Sequence, residues 1–193
     1  MNLNKLRDRA YKTACEYGFH DEELSNEHYL CLVISELMEA VEADRKGKYF
    51  KGILTFEREF NRYSALVEEE KRFKCSFERH VKDTVPDELT DAVIRLLDLA
   101  GLREIDIDDF PEEAIYGASK SCVGETFTES IYAISTLPIR HFYKYNYSFE
   151  SQIVHMLLSI FGLAKHLNID LLWHIEQKMR YNELRENKHG KRY

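Results

Sequence analysis

Apolar residues recur with the 3.6-residue period of an amphipathic α-helix in successive segments of the chain. This spacing predicts a first helix over residues 3–17, closed by Gly18. Ser25 is a good N-cap and opens a second helix that runs to about Lys46, before Gly47. Between residues 53 and 82, Phe56, Phe60, Tyr63 and Val67 stand at i, i+4, i+7 and i+11, a helical stripe on a charged background. Thr84-Val85-Pro86-Asp87 supplies a cap, an early proline and a first-turn acid. The helix it opens reaches Gly101, and its Leu89, Val93, Leu96, Leu97 and Ala100 form one apolar face. Residues 103–111 read as a connector. Further helices are expected at about 112–136, 149–167 and 169–186, with Pro138 and the aromatic run HFYKYNYS separating the first two. No linker rich in Pro, Gly or Ser and no repeat interrupts this pattern. The expectation is one all-α domain, a helical bundle over residues 1–193.

Composition narrows the class. Only 8 Gly and 3 Pro occur in 193 residues, too few for an all-β sandwich with its turn every ~8–12 positions. The formal charge of −7 argues against a broad nucleic-acid footprint, so no nucleic-acid polymer is expected as a partner. The charge is unevenly placed. From Lys178 to Tyr193 there are six Lys/Arg against two Glu, and residues 187–193 form a basic tail. An acidic body with a basic end suits a small polyanion if metal ions neutralise the acids that face it, although basic ends are as often simply solvated. The most apolar run, Met156 to Ala164, is about half the ~20 residues that span a bilayer, so no membrane association is expected. MNLNKLRDRAYK lacks the apolar stretch of a signal peptide. Cys15, Cys31, Cys75 and Cys122 form no C-x-x-C pair and read as reduced, mostly buried thiols. A cytoplasmic location is expected.

The candidate chemistry lies on three of these helices. In ISELMEAVEAD, Glu36 and Glu39 stand at i and i+3, so both carboxylates leave one face. Glu88 and Asp91 repeat the spacing in DELTDAVIRLLDLAG. Two acids one turn apart repel each other unless a cation lies between them. The stripe Leu32, Glu36, Glu39, Ala43 has apolar or small ends around its acids, whereas a solvated stripe is normally polar throughout. If the two helices pack together, four carboxylates supply hard oxygen ligands suited to Mg²⁺ or Mn²⁺. The alternative is that both pairs are ordinary exposed acids. A ferritin-like di-iron centre needs Glu-x-x-His on two helices, and the chain has none. On the last helix, Lys178, Asn182 and Arg185 at i, i+4 and i+7 present two cations and an amide, which suit phosphate oxygens and a nucleoside. There is no G-x-x-x-x-G-K-[ST] and no G-x-G-x-x-G, so backbone phosphate loops are excluded.

In chain order, ISELMEAVEADRKG, DELTDAVIRLLDLAGLREID and KMRYNELRENKHGK resemble the MazG-like, all-α nucleoside triphosphate pyrophosphohydrolases. The three segments cover about a quarter of the chain. The resemblance implies a metal-dependent hydrolase that cuts a nucleoside triphosphate between the α and β phosphorus atoms, giving a monophosphate and pyrophosphate. It implies that Glu36, Glu39, Glu88 and Asp91 bind Mg²⁺, with Mn²⁺ an alternative, and that Lys178, Asn182 and Arg185 hold the substrate. It also implies a homodimer or homotetramer and a role in clearing unwanted nucleotides from the pool. Forty-eight residues separate Glu39 from Glu88, more than in small family members, so residues 53–82 read as an inserted helical hairpin. More specialised substrates (dUTP, dCTP or phosphoribosyl-ATP) and a non-catalytic helical binding module are the alternatives.

Other residues carry weaker readings. His28 and Cys31 lack a second Cys/His pair for zinc. Trp173 reads as core. Tyr143, Tyr145 and Tyr147 read as a packed or partner-covered loop. Asp98, two turns beyond Asp91, is left outside the metal set.

Overall fold

Helix α5 (Val85–Leu102) runs through the middle of the bundle, and twelve of its eighteen residues are buried. A helix buried on so many sides needs partners on each, and α5 has four. It packs against α1 (Leu3–Glu16), α2 (Asn26–Arg45), α9 (Phe149–His166) and α10 (Leu171–Asn182). The expected apolar face is therefore only part of its buried surface. The computed structural model describes residues 2–63 and 66–185, and these contain α-helices and one π-helical turn but no strand. The basic tail at 187–193 lies outside the described residues. No single helix among them is long and apolar enough to cross a membrane.

Local signals account for most helix ends. The Ser25 hydroxyl accepts the His28 N–H at 3.2 Å and caps α2. Thr84 occupies the N-cap of α5, but its hydroxyl donates to the Val81 carbonyl instead of capping. Gly101 lies inside α5 because α1 crosses there. A Cβ on it would approach the Tyr11 Cβ to 2.5 Å, so α1 and α5 can meet this closely only at glycine.

Residues 53–82 form the expected hairpin, α3 (Ile53–Arg62) and α4 (Glu69–His80). The single stripe from Phe56 to Val67 is not kept, since α3 ends at Arg62. Phe56, Phe73, Phe77 and Val81 instead form a second small core with Tyr181 of α10, flanked by Trp173. Trp173 stacks on Phe50 with centroids 5.0 Å apart.

The helix expected over 112–136 is broken. α6 (Glu112–Ser121) stops, Gly124 takes φ +87°, and a Thr126–Glu129 capping box opens α7 (Phe127–Ser135). A short α8 (Leu137–Arg140) and a π-helical turn (His141–Tyr145) follow. Tyr143, Tyr145 and Tyr147 are exposed, so the chain itself does not cover that loop. α9 and α10 meet at 114°, around Asn168 at φ +56°. The four thiols are free, but only Cys122 is buried, so the expectation of mostly buried cysteines is corrected.

Candidate metal centre and adjoining cavity

The side-by-side packing of α2 and α5 turns two sequence-distant acid pairs toward each other. Glu36 from α2 and Glu88 and Asp91 from α5 each offer a carboxylate oxygen, and these three atoms lie within 4.8 Å of one another. Glu36 and Glu88 are 4% and 6% exposed. The Arg95 Nε donates to Glu36 Oε1 at 2.5 Å and holds that carboxylate in place. The fourth expected ligand, Glu39, is exposed and lies outside this trio. It lines a separate concavity with Glu88, Glu42, Lys46, Lys48 and Asp83. The structure thus gathers three acids and leaves Glu39 on the rim, because one further turn of α2 carries it away from the line of closest approach.

Lys178 is not where a phosphate ligand is expected. It is 4% exposed, with Nζ 2.9 Å from both Asp87 oxygens and 2.7 Å from Asp91 Oδ2. Three acceptors occupy the three donors of an ammonium, so Lys178 balances and orients carboxylates and has no proton left for substrate. The resemblance implied a substrate-holding role for Lys178; in this structure its partners are carboxylates. Asp87, overlooked in the sequence, is 1% exposed and also accepts the Asp83 N–H at 3.0 Å. It stands at i, i+4 to Asp91, a spacing that places both on one helical face.

The electrostatics suit a cation. Burial pushes the Glu88 carboxyl up to about 8, with Asp91 and Asp87 adding to the rise, Lys178 opposing it and Glu39 adding a little more. Asp87 is raised to about 6 by burial, against the pull of Lys178. Burial works against the Lys178 charge, but its two carboxylate partners outweigh it and raise its pKa. Among the described residues, Glu36, Asp87, Glu88 and Asp91 crowd together beside Lys178 and Arg95. A divalent cation would relieve the repulsion recorded at Glu88, and the hard oxygen donors match Mg²⁺ or Mn²⁺. The residues present fit such an ion, and this trio is the metal-capable cluster found among the described residues.

Glu36 and Asp91 also face a cavity of about 120 Å³ between α1, α2, α5 and α10, whereas Glu88 lines the separate concavity beside Glu39. Ala10, Ala14, Leu24, Leu32, Ile94 and Met179 give the cavity apolar walls, and Glu36 and Asp91 mark its metal end. Asn182 and Arg185 line it, together with Arg95. The Asn182 Oδ1 is buried without a hydrogen-bond partner. Asp98, set aside in the sequence, also faces this cavity and pairs with His20 at 2.7 Å. Burial raises its pKa, and the bond to His20 opposes the rise.

Comparison with known proteins returned no match: no family model fits the chain, and no curated protein or solved structure is detectably similar to it.

Proposed function

We propose that this chain is a Mg²⁺-dependent nucleoside triphosphate pyrophosphohydrolase, acting at the bond between the α and β phosphorus atoms. The observation that carries the reading is the convergence of Glu36, Glu88 and Asp91 from two helices, with two of these acids, Glu36 and Asp91, also lining an apolar-walled cavity. Glu36, Glu88 and Asp91 would hold the ion, and Glu39 stands on the rim beside Glu88. A Mg²⁺ ion held by these carboxylates would offset the triphosphate charge and lower the pKa of a bound water. Arg95 and the Asp87–Lys178 pair keep the carboxylates in position. Arg185 meets phosphate oxygens, and Asn182 bonds the nucleoside or its phosphate. The apolar walls exclude water from the nucleoside.

The rival reading, a silent helical binding module, does not account for the cost of this cluster. Carboxylates held at raised pKa destabilise the empty fold, and such costs are typical of working sites. The test is pyrophosphate release from a panel of nucleoside and deoxynucleoside triphosphates, with Mg²⁺ and with EDTA. Metal-dependent pyrophosphate with the matching monophosphate supports the reading. Absence of turnover across the panel, phosphoribosyl-ATP included, overturns it.

A further inference from the structure

The far end of the cavity carries polar groups that neither metal nor phosphate would engage. Asp98 lies seven residues beyond Asp91 on α5, ~10.5 Å further along the axis and on nearly the same face. That is about the reach of a nucleotide from its α-phosphorus to the edge of its base. The Asp98 side chain is 16% exposed and lines the cavity. A short relay fixes it. The Tyr29 hydroxyl lies 3.3 Å from His20 Nδ1, and His20 Nε2 lies 2.7 Å from Asp98 Oδ1. From this network we assign the Tyr29 proton to the bond with Nδ1, which leaves Nε2–H to donate to Asp98. Oδ1 is thereby taken. Oδ2 makes no hydrogen bond among the described residues and stays available as an acceptor. Asn182 of α10 also lines the cavity, and its buried Oδ1 has no hydrogen-bond partner among the described residues.

At the Asp98 position itself, a carboxylate oxygen favours a ligand group that brings a proton and penalises one that brings an oxygen, because an unmet polar group costs more beside apolar walls than in water. We propose that the cavity selects nucleobases bearing a 4- or 6-amino group (cytosine or adenine) over uracil and thymine, an inference that rests on the ligand being a nucleotide, as the proposed function has it. Asp98 Oδ2 accepts from the amino group, the same pairing that lets a carboxylate read the cytosine amine elsewhere. Uracil and thymine put a carbonyl oxygen in that place, and two acceptors then meet with no proton between them.

The test compares dCMP with dUMP, which differ at the 4-amino or 4-oxo group and in whether N3 accepts or donates, by calorimetric titration in Mg²⁺ against the wild type and Asp98→Asn. The wild type should bind dCMP at least tenfold more tightly, since a specific base contact is worth ~1–3 kcal/mol. Asparagine both donates and accepts, so Asp98→Asn should bring the two affinities to within about threefold, the residue of a lost contact. Equal affinities, a dUMP preference or no binding of either by the wild type overturns the inference. So does an unchanged ratio in a folded Asp98→Asn protein. The wild-type ratio decides the matter alone if the variant does not fold. The two proposals fail separately. Hydrolysis of all bases alike overturns this inference and keeps the activity, whereas a dCMP preference in a protein that hydrolyses nothing does the reverse.

Discussion

Replacing Glu88 by Gln should make the metal-free protein more stable and the metal-loaded protein less so. Glu88 has its pKa raised from 4.5 to about 8 by burial, then by Asp91 and Asp87. The sign follows from linkage. Between pH 4.5 and 8 the unfolded chain releases this proton and the folded chain retains it, so the folded state loses stability as pH rises through that window. At pH 7 the gap of 2.5 pH units from the unfolded value corresponds to about 3 kcal/mol, at 1.36 kcal/mol per unit. Glutamine resembles the protonated acid and removes the term. In EDTA at pH 7, Glu88→Gln should gain roughly 2–3 kcal/mol, or about 5–10 °C in Tm for a domain of this size. Metal reverses the order. The wild type gains ~2.7 kcal/mol at a hundred times its Kd, more at higher pH because binding displaces the proton, and the variant gains little. Thermal unfolding of both proteins from pH 5 to 9, in EDTA and in Mn²⁺, reads all of this. A variant less stable than the wild type in EDTA, or equally stabilised by Mn²⁺, refutes the reasoning.

Lys178→Met leaves the buried Asp87 and the half-buried Asp91 without their cation and should cost about 3–5 kcal/mol in urea unfolding. Adding Asp87→Asn should restore part of that loss, which a purely steric defect would not allow. Asp91→Asn should abolish turnover with helicity intact by circular dichroism, while Glu39→Gln, exposed on the rim, should lower kcat less. Equal losses in steady-state assays would put Glu39 among the ligands. His174 is 3% exposed, and burial lowers its pKa to about 4. The folded state therefore loses stability as pH falls from 6.5 toward 4, and His174→Gln should flatten that limb of a denaturation series.

The helices were legible because capping residues and apolar spacing are local. Ser25 caps α2, and the hairpin at 53–82 forms, with its aromatics on α10. The break in 112–136 was also local, written in Gly124 and the Thr126–Glu129 box, but the apolar period ran across it. The site was less legible because its geometry is tertiary. Spacing within α2 and α5 pairs the acids, but only the crossing of the two helices decides that Glu36 joins the trio and Glu39 does not. Lys178 shares a stripe with Asn182 and Arg185, yet buried Ile175 and Met179 beside it are the signal that it points inward. Asp98 looks solvated until His20, 78 residues away, closes on it.

The most direct test of the central claim is the ³¹P spectrum of a mixed triphosphate incubation with Mg²⁺ and the wild-type protein. Cleavage between the α and β phosphorus atoms predicts equal amounts of nucleoside monophosphate and pyrophosphate, suppressed by EDTA and by Asp91→Asn. Diphosphate with inorganic phosphate, or triphosphates left intact, would contradict it.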